Sequence, residues 1–234
     1  MPERKSLANL GYQETTPPNA GTAWREVDFT VIDLETTGLD PSSDEIISFA
    51  TVTVSGGKVR LDDAVYEFVR PHRMPEGETI RIHGLREVDL AEAPPMEKVL
   101  DELLKVLSGR AMVAHVAAVE RAFLRRALAE HGLELRNPIV DTAVLDRELR
   151  RLRREPAASH EPIALGTMAH DLGLPTHRPH HADGDALTTA QAFIALATHL
   201  EAVGFETLGS LVGLSQERET TGLLGRLLGR RARP

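Results

Sequence analysis

Phe29-Thr30-Val31-Ile32-Asp33-Leu34-Glu35 is an apolar run that closes on two acids two positions apart. Rich in β-branched residues and free of glycine and proline, it predicts a strand over residues 29–35. Alternate side chains of a strand share a face, so Phe29, Val31, Asp33 and Glu35 point one way and Thr30, Ile32 and Leu34 the other. The first face begins apolar and finishes with two carboxylates about 7 Å apart, two residues at ~3.3 Å each. Such a pair repels unless a cation lies between or beside the two groups, and oxygen ligands of this kind suit Mg²⁺ or Mn²⁺. A strand emerging into solvent at Asp33 gives the same pattern, so the pair alone does not decide the chemistry.

Outward from this strand, a turn at residues 38–43 leads to a second predicted strand over about 45–54. Ser55-Gly56-Gly57-Lys58 signals a hairpin into a third strand near 59–69, ended by Pro71. The start is an antiparallel meander. Met96, Val99, Leu100, Leu103, Leu104 and Leu107 then recur at helical spacing, entered through Pro94-Pro95 and left at Gly109. A short strand at 111–114, a helix at about 117–131, a strand at 139–140 and a helix at 142–153 follow. A Pro- and His-rich loop then precedes a helix at about 185–203. Three strands followed by alternating helices and strands predict an α/β fold, a mixed sheet covered by helices.

At 234 residues the chain has room for one domain with a real core, read here as residues 25–213, plus a tail at each end. Residues 1–24 are polar, contain Pro and Gly and have no sustained period, which predicts a flexible tail. Residues 214–234 place Leu223, Leu224, Leu227 and Leu228 beside Arg226, Arg230, Arg231 and Arg233. That tail reads either as a frayed end or as a short basic amphipathic helix. With no cysteine among 234 residues, disulfides, thiolate zinc sites and cysteine nucleophiles are excluded, and a cytoplasmic protein is expected. No apolar run reaches membrane-spanning length, and the N-terminus lacks the apolar core of a signal peptide. The net charge of −8 excludes bulk coating of nucleic acid but not an enzyme that grips a short piece of it.

Two further segments place acids against the apolar pattern. Glu120 has Phe123, Leu124 and Ala127 at helical spacing and so lies on an apolar stripe, where a carboxylate must be paired or metal-bound, or else sits at the stripe's edge. In His180-His181-Ala182-Asp183-Gly184-Asp185, the placement of Ala192 and Leu196 turns Asp185 partly inward. His180, five residues before it, can reach a ligand held there, and an imidazole is suited to deprotonating water near neutral pH. A solvated His-rich loop is the plainer reading of the same residues.

In order and spacing, these segments resemble the DnaQ-like (DEDDh) 3′–5′ exonucleases. Val31-Ile32-Asp33-Leu34-Glu35-Thr36-Thr37-Gly38-Leu39 matches that family's opening motif, and Ile82-His83-Gly84-Leu85 its His-Gly-hydrophobic segment. The run from Val113 through His115 to Leu124 matches the second motif, Asp141-Thr142 a following step, and His180-x-Ala182-x-x-Asp185-Ala186 the third. The resemblance spans about residues 27–213 and implies a ribonuclease H-like sheet. It also implies two ions, Mg²⁺ or Mn²⁺, held by Asp33, Glu35, Glu120 and Asp185, with His180 as general base. Thr36, Thr37 and Gly38 would lie against the terminal nucleotide, with His83, Gly84 and His115 also on the substrate side. The implied reaction is hydrolysis of the last phosphodiester at a free 3′ end, single-stranded DNA favoured, in proofreading or repair. RNA as substrate, or a catalytically weakened binding module tethered by the C-terminal tail to a polymerase or repair complex, are the alternatives. The second motif departs from the pattern: Glu120 stands where the family has Asp, Val116 where it has Asn, and Val119 where it has an aromatic residue.

Overall fold

The computed structural model describes residues 6–75, 77–155 and 162–216. Its centre is a five-stranded sheet in the order β3-β2-β1-β4-β5. The strands are β1 (Phe29–Thr36), β2 (Ile46–Ser55), β3 (Lys58–Phe68), β4 (Ala111–Ala114) and β5 (Ile139–Asp141). β1, β2 and β3 form the expected antiparallel meander, while β4 and β5 add in parallel beside β1. Gly56 and Gly57, at φ 59° and 68°, make the two-residue turn between β2 and β3, a conformation that glycine enters at no steric cost.

The two faces of the sheet carry separate cores. Phe29, Val31, Ala50, Val52 and Val113 pack under α8 (Ala182–Glu201), together with α6 (Thr142–Leu152) and α9 (Leu208–Gln216). Ile32, Phe49, Met112 and Ala114 pack under α4 (Met96–Leu107) and α5 (Ala118–Glu130). The buried side of α8 is rich in alanine, at Ala182, Ala186, Ala190 and Ala197. These small residues, with Phe193 packed on Phe29, bring the helix down on β1 and β2. The face of β1 that carries Asp33 and Glu35 is therefore the α8 face, as the strand's alternation requires.

Five α-helices among the described residues lie outside the pattern read from the sequence: α1 (Leu7–Glu14), α2 (Glu78–His83), α3 (Glu87–Leu90), α7 (Leu165–Asp171) and α9. α2, α3 and α7 are shorter than two full turns or barely reach them, too short for a period to register. α8 starts three residues earlier than expected, at Ala182, with His181 at its N-cap.

The expected flexible N-terminal tail is corrected for residues 6–24. Leu7–Glu14 forms α1, capped by Ser6 and packed on α4. Tyr12 is buried, its hydroxyl donating to Asn137 Oδ1 at 2.8 Å and accepting from the Arg136 N–H at 3.0 Å. Trp24 is fully buried against Phe193, ring centroids 5.8 Å apart. Two buried aromatic anchors in a polar segment were enough to order it, a pattern that periodicity cannot register. The C-terminal tail lies outside the described residues from 217 onward, and residues 214–216 belong to α9. Among the described residues no helix is long and apolar enough to cross a membrane.

Candidate active site

β1 pairs with β4 only from Phe29↔Ala111 to Val31↔Val113, and beyond that point the two strands part. Asp33 and Glu35 lie where β1 still pairs with β2 but no longer with β4, Glu120 enters from the first turn of α5, and Asp185 from the first turn of α8. The crevice beyond the carboxyl ends of parallel strands is where α/β sheets commonly bind ligands.

Four carboxylates crowd one another in this crevice. Asp33 is held well above the usual carboxylate range, first by burial and then by repulsion from Glu120, Glu35 and Asp185. Glu35 is pushed up to about 8 by burial and by Asp185. Glu120 is also pushed up to about 8, by burial and by repulsion from Asp141 and Glu35. Asp185 is raised by burial, offset in part by the N–H of His180, which donates to Asp185 Oδ2 at 3.0 Å. The extra methylene of Glu120 therefore does not carry its charge away from the group.

The donor set fits a divalent cation. Glu120 is 6% exposed and its Oε2 is buried without a hydrogen-bond partner, a costly state that a ligand with positive charge relieves. Among the described residues no three His, Asp or Glu side chains are already drawn round one point as a closed site. Like charges held close in this way separate until a cation draws them in.

The remaining expected residues divide. Thr36 Oγ1 donates to Gly38 O at 2.5 Å, and the Thr37 N–H is already committed to Glu45 O at 2.9 Å. Asp44 organises this turn, accepting from Thr37 Oγ1 at 3.2 Å and from the Asp40 N–H at 2.9 Å. Any Cβ on Gly38 would stand 2.3 Å from the Asp44 carboxylate, so glycine is required there by close approach. His83 is buried, with Nδ1 accepting from the Leu85 N–H at 3.0 Å and Nε2 unpartnered; burial and nearby His181 lower its pKa. Gly84 ends α2 in the left-handed conformation, φ 74°. His115, expected on the substrate side, is half-buried. Its Nε2 donates to Ile163 O at 2.9 Å and its Nδ1 pairs with Thr142 Oγ1 at 3.0 Å, so both ring nitrogens are spent inside the fold.

Asp44 and Asp141 are the organisers that reading residue by residue missed. The Asp141 carboxylate accepts from the N–H groups of Val116 (3.2 Å), Ala117 (3.0 Å), Ala143 (2.9 Å) and Val144 (3.3 Å). It thereby caps α6 and fixes the turn that leads into α5 and Glu120. An Asp directly before a predicted helix was the available signal.

In that turn Val116 has φ 59°, a conformation that β-branched residues adopt only under constraint and asparagine tolerates. Val116→Asn is expected to stabilise the protein by about 1 kcal/mol, a rise in Tm of about 2–4 °C for a chain of this size. Thermal unfolding in EDTA measures it. An unchanged or lower Tm would mean that packing of the valine methyls outweighs the backbone strain.

The mixed five-stranded sheet, with four acids gathered at one end of it, is the arrangement expected of a ribonuclease H-like nuclease. A family profile described as Exonuclease matches residues 30–193. The chain belongs to this exonuclease family, in its DnaQ-like 3′–5′ branch. It is 32% identical over 196 residues to a DNA polymerase III PolC-type protein of Thermotoga maritima, covering 83% of this chain and 14% of the relative. It is likewise 32% identical to a DNA polymerase III subunit epsilon-like protein of Rhodobacter capsulatus, covering 82% of this chain and 27% of the relative. The chain thus spans about a quarter or less of the length of these relatives. Among solved structures, Exonuclease X in complex with 5′ overhanging duplex DNA superposes with a TM-score of 0.61 at 23% identity, over 80% of this chain and 99% of that one. E. coli Exonuclease I in complex with a dA16 oligonucleotide superposes at 0.67 and 15% identity, over 76% and 42%.

Proposed function

We propose that this chain removes nucleotides from the 3′ end of DNA, single-stranded ends favoured, releasing nucleoside 5′-monophosphates in proofreading or repair. The observation that carries this reading is the gathering of Asp33, Glu35, Glu120 and Asp185, from three separate segments, into one crowded field beside His180. Complexes of Exonuclease X and Exonuclease I with DNA support the substrate class, and the PolC-type and epsilon-like relatives support work beside a polymerase. The basic C-terminal tail is the candidate tether to such a partner.

The four carboxylates would hold two Mg²⁺ or Mn²⁺ ions, which when bound supply the positive charge that activates a water and neutralises the phosphate. His180, exposed at the mouth of the site, takes the proton of the attacking water on a free ring nitrogen. Its backbone N–H, fixed to Asp185, keeps the base beside the acids. The turn ordered by Asp44 forms one wall for the terminal nucleotide. The crowding of Glu120 with the other acids favours an active enzyme over a weakened binding module.

The test uses the full chain and a 5′-labelled single-stranded oligonucleotide, with duplex DNA and RNA in parallel. Stepwise shortening with Mg²⁺ or Mn²⁺, abolished by EDTA, is the expected result. Absence of shortening with either ion on all three substrates would overturn the reading, and preference for RNA would reassign the substrate.

A further inference from the structure

We propose that Arg178 and Asp183 form a latch that sets the position of His180, which makes Asp183 a positioning residue for the general base. This rests on the role given to His180 above.

The segment His177-Arg178-Pro179-His180-His181 reverses the chain just ahead of α8. Arg178 has φ 35° and His180 φ 61°, and neither is glycine. L-residues occupy this region only when their surroundings hold them there, and such holding clusters at functional sites.

Most of the contacts that hold the turn come from α8, beside the His181 N–H that donates to Arg178 O at 3.2 Å within the turn itself. Arg178 Nη1 donates to Asp183 Oδ2 at 2.6 Å. The His177 N–H donates to Thr188 Oγ1 at 3.0 Å, and its Nε2 pairs with Gln191 Oε1 at 3.2 Å. Gly184 lets the loop press flat on the helix, since any Cβ there would stand 2.1 Å from His177 O. Folded down in this way, the turn delivers the His180 N–H to Asp185 Oδ2 at 3.0 Å. The Arg178–Asp183 pair thus spans the residue that carries the base, one partner on each side of it in sequence.

Both side chains keep solvent contact, 62% for Arg178 and 35% for Asp183, so their pairing adds little to global stability. Its effect falls on orientation, where a displacement of about 1 Å in a reacting group can cost ~10²-fold in rate. That separation of roles gives the test.

Arg178→Ala and Asp183→Ala are each expected to lower kcat about tenfold on single-stranded DNA at saturating Mn²⁺. KM and Tm should stay at wild-type values. The double variant should lose no more than either single one, and in a His180→Ala background Asp183→Ala should have no further effect. Wild-type kcat in both single variants overturns the latch, as does a loss accompanied by a lower Tm or a raised KM. If His180→Ala itself keeps full activity, the role of His180 fails, and the latch fails with it. If His180→Ala is inactive while the single variants are normal, only the latch is lost.

Discussion

Asp33→Asn is expected to move activity and stability in opposite directions. Asp33 is the acid that feels all three of the others, so its removal takes the central charge from the proposed metal site. The expected result is a loss of at least ~10³-fold in kcat, the scale seen when a charge acting on the transition state is removed, with weaker divalent binding by calorimetry. The same substitution relieves repulsion among buried carboxyls, so the Tm in EDTA should rise. The sign follows from the direction of the shifts. Glu35 and Glu120 titrate in the folded protein at about 8, well above their ordinary value of 4.5. Between those limits the folded state holds protons that the unfolded chain has released, so metal-free stability falls as pH rises through that window. Wild-type Tm in EDTA should therefore drop by roughly 5 °C or more between pH 6 and pH 8.5, equivalent to ~2 kcal/mol. Asp33→Asn should flatten the slope, and Mg²⁺ should restore the loss at the alkaline end. A Tm independent of pH over this range would mean that the four acids do not share a field.

His180→Ala should reduce kcat by ~10²–10³-fold, the usual contribution of a positioned general base, without loss of fold. The side chain is exposed and its removal opens no cavity, so Tm should change by less than about 2 °C. The backbone N–H that fastens the loop to Asp185 survives the substitution, although alanine at φ 61° is itself disfavoured. Divalent affinity should stay at the wild-type value, because the four acids remain. Rates should recover in part at higher pH, where hydroxide substitutes for the missing base. Unchanged kcat would remove His180 from the reaction, and a collapse of metal binding would reassign it to the ligand set.

Much of this was legible in the sequence because the chemistry disturbs a regular pattern. Asp33 and Glu35 break the alternation of a buried strand, and Glu120 breaks the stripe of an amphipathic helix, so both stand out as carboxylates where apolar side chains belong. The mixed sheet followed from a meander and two strand–helix units, while the order of its strands came from the structure. The rest depended on contacts between residues far apart in the chain, which no local period encodes. Trp24 falls at the end of the segment expected to be a tail, yet it packs edge-on against Phe193. His115 matched a substrate-side motif, yet Thr142 and Ile163 occupy its ring nitrogens. Asp141 was visible as one member of a motif, but two of its four backbone partners lie in the distant turn before α5 and two in the first turn of α6.

The docking of α8 has a consequence for a chain still being made. Asp33, Glu35 and Glu120 all leave the ribosome before residue 182, whereas Asp185 arrives with the helix that covers Phe29, Val31 and Ala50. Until that helix is released and packed, an unfinished chain has three acids, an uncovered apolar sheet face and no complete centre. Synthesis from the N-terminus therefore leaves the proposed centre without its fourth acid until the last long helix of the described residues has been made.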